Sequence, residues 1–245
     1  MVTCYDYTFA RLLSRSAMDG ILVGDSAGMV MHGRDTTLSV TTDLIRLHTE
    51  AVVRGAPDKF IVADMPFLSF RKGVGPALDA AHVLMSAGAH ALKLEGVCGH
   101  EDVIGRMVGS GIPVMGHLGL QPQSVHACGG YRVQGRGAEA ASEIHGQAKR
   151  LEDLGVFAVV LECIPADLAK EITFALRIPT IGIGAGAACD GQILVLQDLL
   201  GMNPDFHAKF ARPFMDGAGG ILNALGAFER AVKTGTFPLT EESYS

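Results

Sequence analysis

The stretch Val156–Pro165 reads V-F-A-V-V-L-E-C-I-P, an apolar run that ends in a single carboxylate, Glu162. Its β-branched centre, Val159 and Val160, and its shortness mark a parallel strand buried on both faces. Glu162 falls where the strand stops, and Pro165 is placed to open the next helix. An acid beside Leu161 and Cys163 is costly to bury unless it has a partner or a task. The same layout of apolar run, polar residue and helix recurs along the chain.

Upstream, a first strand ends at Tyr5 and Asp6, and a helix runs from Phe9 to about Met18. A second strand, Ile21 to Gly24, delivers Asp25 and Ser26. After the Gly-rich segment Gly28 to Thr37 comes a helix from Thr42 to Arg54, stopped by Gly55. A third strand, Phe60 to Ala63, delivers Asp64, and a helix from Pro76 to Ser86 stops at Gly88. The fourth, Ala91 to Leu94, carries Lys93 and ends at Glu95. A helix from Glu101 to Val108 leads to the fifth, Val114 to Gly116, which ends at His117. The long polar loop Gly119 to Gly137 is of the kind that is more often functional than idle. A helix from Glu139 to Leu154 precedes the Glu162 strand. Another, Ala166 to Ala175, precedes the seventh strand, Thr180 to Ile183; the eighth is Ile193 to Leu196, and a helix spans about Gly219 to Val232. Eight strands alternating with helices predict a parallel sheet closed as a (β/α)8 TIM barrel, one domain over residues 1–245 with a carboxyl-terminal helical extension. A doubly wound open sheet needs fewer strands and a switch point, and neither is visible.

Composition narrows the classes of function. The 245 residues are 48% hydrophobic and 19% charged, with a formal net charge of −6 and no basic stripe, which argues against nucleic acid. No apolar run reaches the length of a membrane span, and no secretory signal is visible, so a cytoplasmic protein is expected. The five cysteines are scattered and form no C-x-x-C pair, which fits reduced thiols better than disulfides or zinc.

In a barrel, polar residues at the carboxyl ends of strands converge on one face. Here they are Asp25, Ser26, Asp64, Lys93, Glu95, His117 and Glu162. Taken alone, Asp25 or Asp64 reads as a helix cap, and Lys93 with Glu95 as a local ion pair. Acids at the ends of strands two, three, four and six are harder to dismiss together. Three near carboxylates, Asp25, Asp64 and Glu95, repel unless a cation joins them, and an all-oxygen set suits Mg²⁺ rather than zinc. Two glycine motifs are near misses. Gly28 to Gly33 has P-loop spacing but is followed by Arg34 and Asp35, and Gly184-Ala185-Gly186 reads as a close-packed turn before a phosphate loop.

These residues with their neighbours resemble the ketopantoate hydroxymethyltransferase (3-methyl-2-oxobutanoate hydroxymethyltransferase) family. The carrying segments are Y-D-Y-T-F-A from Tyr5, L-V-G-D-S-A-G-M from Leu22, A-D-M-P-F from Ala63 and L-K-L-E-G from Leu92. Further on come G-H-L-G-L-Q-P-Q-S from Gly116, G-G-Y-R-V-Q-G-R-G from Gly129, L-E-C-I-P from Leu161 and I-G-I-G-A-G from Ile181. They span nearly the whole chain in the family's order.

The resemblance implies a Mg²⁺-dependent barrel enzyme in the first committed step of pantothenate synthesis. It moves a one-carbon unit from 5,10-methylenetetrahydrofolate to 3-methyl-2-oxobutanoate and gives 2-dehydropantoate. It places metal ligands on Asp25, Asp64 and Glu95, oxo-acid contacts on Asp25, Ser26, Asp64 and Lys93, and the catalytic base on Glu162. It also implies a homo-oligomer, a decamer of two stacked pentameric rings, and a helix ahead of Tyr5 that this sequence does not show. The chemistry matches: taking a proton from carbon next to a ketone needs a base and a way to hold the enolate charge. Two rivals stand beside it. One is a related barrel enzyme that cleaves or isomerises a C–C or C–P bond; the other is a non-catalytic oxo-acid-binding protein.

Overall fold

The computed structural model describes residues 1–206 and 208–244. They divide into two compact units, Met1–Val195 and Leu196–Ser245. In the first, the order is β1 (Val2–Thr3), α1 (Tyr7–Ser14), β2 (Gly20–Val23), α2 (Ala27–Val30), α3 (Thr42–Gly55), β3 (Phe60–Asp64), α4 (Val74–Ser86), β4 (Ala91–Glu95) and α5 (Glu101–Gly109). There follow β5 (Val114–Gly119), α6 (Ala138–Asp153), β6 (Ala158–Glu162), α7 (Ala166–Ala175), β7 (Thr180–Ile183) and β8 (Gly191–Gln192). Each strand pairs in parallel with the next, from β1 to β8. A parallel bridge between Val2 and Leu194, with the Thr3 N–H donating to Leu194 O at 3.0 Å, joins the last segment to the first. This is a (β/α)8 barrel.

Strand alternation decides what the barrel holds. Residues two apart share a face, so Val62 lies in column with Asp64, Ala91 with Lys93 and Glu95, Met115 with His117, and Ala158 and Val160 with Glu162. The apolar members of these columns pack with Leu22 and Ile193 into one buried cluster. The polar members stand one and two steps further toward the carboxyl ends. The opposite face is also apolar: Ile61, Leu92, Leu94, Val159 and Leu161 are fully buried. Each such side chain contributes roughly 1.5–3 kcal/mol. A sheet buried on both faces therefore has the stability to carry a few buried charges at one end.

The sequence reading and the structure part company at some boundaries. α1 starts at Tyr7 rather than Phe9, because Asp6 caps it and accepts the Phe9 N–H at 2.9 Å. The expected loop after Asp25 contains the short helix α2. β5 runs on to Gly119, so His117 lies inside a strand rather than beyond one. β8 is Gly191–Gln192, ahead of the expected Ile193 to Leu196, and only the Leu194 bridge falls within that expectation. Pro165 is the residue before α7, with an extended ψ of 138°. Gly186 has φ of +82°, and a Cβ there would lie 2.6 Å from the Ala166 Cβ, which is the close-packed turn expected of this glycine motif.

In the second unit, α8 (Leu196–Leu199) precedes the long α9 (Gly217–Thr234). Asp216 caps α9 by accepting the Gly219 N–H, and Gly235 ends it in the left-handed conformation. Ile221, Leu222, Leu225, Phe228 and Val232 of α9 are all exposed. No helix of the described residues is long and apolar enough to cross a membrane.

Gly119 sets how closely β5 approaches β6. Its φ is +91°, and a Cβ there would lie 2.1 Å from the Glu162 carbonyl oxygen and 2.7 Å from Ile164 Cγ2. Gly119→Ala is expected to destabilise the fold by about 1–3 kcal/mol, since backbone rather than a flexible side chain must move. Gly146→Ala, inside α6 with nothing within 4 Å of the added carbon, is expected to stabilise it by up to about 1 kcal/mol. Urea midpoints of the two variants check this pair; equal midpoints would contradict it.

Candidate active site at the carboxyl ends of the strands

The strand ends assemble one buried polar cluster. Asp64 ends β3 and pairs in register with Lys93 on β4, while Glu95 pairs with His117 on β5. Lys93 Nζ lies 2.8 Å from Asp64 Oδ1, with both side chains almost wholly buried. His117 spans two acids: Nδ1 is 3.5 Å from Glu95 Oε1, and Nε2 is 3.2 Å from Glu162 Oε2. Lys93 Nζ also lies 3.3 Å from His117 Nδ1.

Asp25 follows β2, and its backbone N–H donates to Asp64 Oδ2 at 3.1 Å. Its carboxylate accepts from the Gln123 amide at 2.9 Å. It is not a helix cap: the residue before α2 is Ser26, whose side chain makes no capping bond. Ser26 Oγ is instead hydrogen-bonded to the Tyr5 hydroxyl at 2.8 Å. Six of the seven residues expected at the strand ends are thus linked by hydrogen bonds and ion pairs, and Ser26 is bonded to Tyr5 instead.

Glu162 differs from the expectation of an acid on apolar ground. Its side chain is 16% exposed, and its partner is His117. The backbone turns sharply just after it, because Cys163 adopts a φ of +47°, a left-handed conformation unusual for a side chain with a Cβ. The turn is held from both sides: the Leu120 N–H donates to Glu162 O at 2.8 Å and the Gln134 N–H to Cys163 O at 2.9 Å. Such strain, worth about 1–3 kcal/mol, persists where surrounding bonds over-determine it.

The electrostatics follow from burial and crowding. Burial, then the neighbouring Asp64 and Glu95, pushes the Asp25 carboxyl well above the usual carboxylate range. Burial raises Asp64 as well, against the pull of Lys93. Burial alone would raise Glu95, but His117 and Lys93 hold it below its ordinary value. Burial works against the Lys93 ammonium, yet Asp64, Glu95 and Asp25 outweigh it and raise its pKa. Burial and Lys93 work against the His117 imidazolium, but Glu162 and Glu95 prevail and raise its pKa to about 9.

Three residues join the site that strand ends did not predict. Gln123 lies in a short 3₁₀ turn, Pro122–Ser124, inside the long loop. Arg71 donates to Glu95 O at 2.9 Å. Tyr131, from the same loop as Gln123, is about half exposed, and burial, then Asp25, Glu162 and Glu95, pushes its phenol up. Both loop residues fall within segments that carry the family resemblance and within a long loop, neither of which assigns them a role, and nothing in the pattern marks Arg71.

The site bears on a divalent cation as follows. Among the described residues, no group of three or more His, Cys, Asp or Glu side chains is arranged to hold a metal ion. Asp25, Asp64 and Glu95 are neighbours, but several of their oxygens are engaged by Lys93, Gln123 and a backbone N–H. Asp64 Oδ1 faces the Lys93 ammonium at 2.8 Å and Glu95 Oε1 the His117 ring at 3.5 Å. The donor chemistry fits a hard cation: Asp25, Asp64 and Glu95 are buried carboxylates that offer only oxygen, and such a cation is held through one or two of them and completed by its own water.

Lys93→Met removes the ammonium from among three acids and leaves them buried together. Loss of about 3–5 kcal/mol in guanidinium unfolding is expected, as for breaking a buried pair from one side. Adding Asp64→Asn should recover part of it. A single variant that unfolds at the parent's midpoint would contradict this reading of the cluster.

Comparison with known proteins places the chain. A family model for ketopantoate hydroxymethyltransferase matches residues 1–240. A 3-methyl-2-oxobutanoate hydroxymethyltransferase of Bdellovibrio bacteriovorus is 56% identical over 100% of this chain and 93% of its own length. That of Coxiella burnetii is 52% identical over 98% of this chain and 91% of its own. Among solved structures, a phosphonopyruvate hydrolase in complex with oxalate and Mg²⁺ superposes with a TM-score of 0.63 at 11% identity, covering 98% of this chain and 87% of that one. A 2,3-dimethylmalate lyase of the PEP mutase/isocitrate lyase superfamily gives 0.60 at 17% identity, covering 99% and 85%. These two likenesses concern the fold alone. The match over nearly the full length, with more than half of the residues identical in relatives of the same name, shows that the chain belongs to the ketopantoate hydroxymethyltransferase family.

Proposed function

We propose that this chain transfers a one-carbon unit from 5,10-methylenetetrahydrofolate to 3-methyl-2-oxobutanoate, giving 2-dehydropantoate and tetrahydrofolate, as an early step of pantothenate and coenzyme A synthesis. The observation that carries this reading is the placement of Glu162. It is a partly exposed carboxylate at the end of β6, in contact with His117 and so joined to the buried cluster of Lys93, Asp64 and Glu95. Glu162 takes the proton from C3 of the oxo acid, next to the ketone. The methylene carbon then gains a bond to the enolate carbon and one to a water oxygen, and loses both of its bonds to folate nitrogens; the proton taken from C3 and the one released by that water end on the two nitrogens. Glu162 and Glu95 hold His117 toward its protonated form, and this reading assigns the base to Glu162 rather than to His117. His117 orients Glu162 instead. Lys93 and Ser26 hold the oxo acid together with Asp25 and Asp64.

The cofactor of this reading is Mg²⁺, held by Asp25, Asp64 and Glu95 directly or through water. When bound, it supplies a Lewis acid for the ketone oxygen. The five free cysteines agree with a reducing, cytoplasmic setting.

Glu162→Gln keeps the shape of the side chain but removes the proton acceptor. The expected result is a fall in kcat of about 10²–10⁴-fold with substrate binding retained. Exchange of the C3 proton of 3-methyl-2-oxobutanoate with deuterated water, followed without folate, reads the step directly. A variant that exchanges as fast as the parent would remove Glu162 from the role.

The same reading makes the protein a homo-oligomer, a decamer of two stacked rings. An 18-residue helix with five large apolar side chains exposed is the kind of surface that another subunit covers. Light scattering at micromolar concentration should give a mass near ten chains; a monomer mass would contradict it.

A further inference from the structure

Each of the three acids in the cluster has one oxygen fixed by an N–H group. Asp64 Oδ2 accepts from the Asp25 backbone at 3.1 Å. Asp25 Oδ2 accepts from Gln123 Nε2 at 2.9 Å, and Glu95 Oε2 from the Gln123 backbone at 3.0 Å. Gln123 therefore supplies two of the three. Its side-chain amide also donates to Met65 O at 3.0 Å. Both neighbours of that amide are acceptors, so only its nitrogen can face them. The residue is 3% exposed, and its own Oε1 is buried without a hydrogen-bond partner.

An aspartate carboxylate turns about a broad, roughly two-fold terminal torsion. Without a donor on Oδ2, nothing among these contacts stops Asp25 from swinging toward the Lys93 ammonium. The donor itself is rigidly placed. Pro122 opens the turn, the Ser124 N–H donates to Gln121 O at 2.8 Å, and the neighbouring Leu120 N–H is tied to β6 through Glu162 O. A loop residue is thus anchored to the end of β6 by its backbone and to the acid following β2 by its side chain.

We propose that Gln123 is a positioning residue. It pins one oxygen of Asp25 and one of Glu95, so that the opposite oxygen of Asp25 stays turned to the place where a divalent cation and the oxo acid bind, and Glu95 Oε1 stays beside His117. This rests on the reading of the site given above. Gln123 acts through the acids and touches no reacting atom. Its side chain controls Asp25, and its backbone controls Glu95, so the two effects are separable by mutation.

The test compares the parent with Gln123→Met, which keeps the size of the side chain and loses the amide. Gln123→Asn, one methylene shorter, serves the same test with a polar side chain. Crystal structures without metal should show the Asp25 carboxylate rotated in the variant and the Glu95 carboxylate unmoved, still bonded to the backbone of residue 123. Calorimetric titration with MgCl₂ should show binding about 10–100-fold weaker than in the parent, with kcat reduced and the KM for the oxo acid raised, since Asp25 also faces the oxo acid. The unfolding midpoint should fall a little, since Asp25 Oδ2 and Met65 O lose a buried donor, without loss of the folded state. An unmoved Asp25, or parental Mg²⁺ affinity in both variants, overturns the proposal. A parent that takes up no Mg²⁺ defeats the cofactor reading alone. The orientation of Asp25 then decides the role of Gln123: rotated in the variants it stands, unmoved it falls.

Discussion

The Lys93 ammonium, 2.8 Å from Asp64 and buried with it, is the contact on which the rest of the site depends. Three carboxylates crowd this end of the barrel, and burial penalises every one of them. Two unit charges about 4 Å apart interact by about 4 kcal/mol at an effective dielectric of 20. Attraction of that size offsets the several kcal/mol that desolvating each ion costs, and does not greatly exceed it. The cluster is therefore a feature that the apolar barrel supports rather than one that stabilises it. Lys93 carries a charge there because β4 places it two residues from Ala91, in the same column, above a layer of closely packed aliphatic side chains.

The second constraint is backbone geometry between β5 and β6. Gly119 leaves room for the Glu162 carbonyl where any side chain would collide with it, and Cys163 then takes a left-handed turn. These two features bring the end of β6 against β5, whose register sets Glu162 beside His117. The same carbonyl receives the Leu120 N–H, which begins the loop bearing Gln123 and Tyr131. The candidate base and the loop are in this way positioned by one short stretch of main chain.

Much of this was legible in the sequence, because a strand reports its own faces. Apolar runs closed by a polar residue located Asp64, Lys93, Glu95 and His117, and alternation put them on the inner face. What was not legible depends on register between strands or on loop conformation. Nothing in V-F-A-V-V-L-E-C-I-P tells that Glu162 meets His117 rather than its apolar neighbours, since that contact is set by the alignment of β6 with β5. Gln123 and Tyr131 sit in a loop without periodicity, where one polar residue reads like the next. β8 escaped because Gly191 and Gln192 carry no β-branched or apolar signal, and their strand is defined only by pairing with β7. The sequence suggests three acids converging on a cation, whereas the side chains stand as a network shared with Lys93, Gln123 and His117.

The superposed lyase and hydrolase structures show that this barrel architecture occurs with other chemistries, so the reaction has to be argued from the site. The proposed reaction differs from bond cleavage in its need for a one-carbon donor. The most direct measurement is release of tetrahydrofolate from 5,10-methylenetetrahydrofolate by the purified protein. The account predicts release only when Mg²⁺ and 3-methyl-2-oxobutanoate are both present; release without the oxo acid, or none with every component supplied, would contradict it.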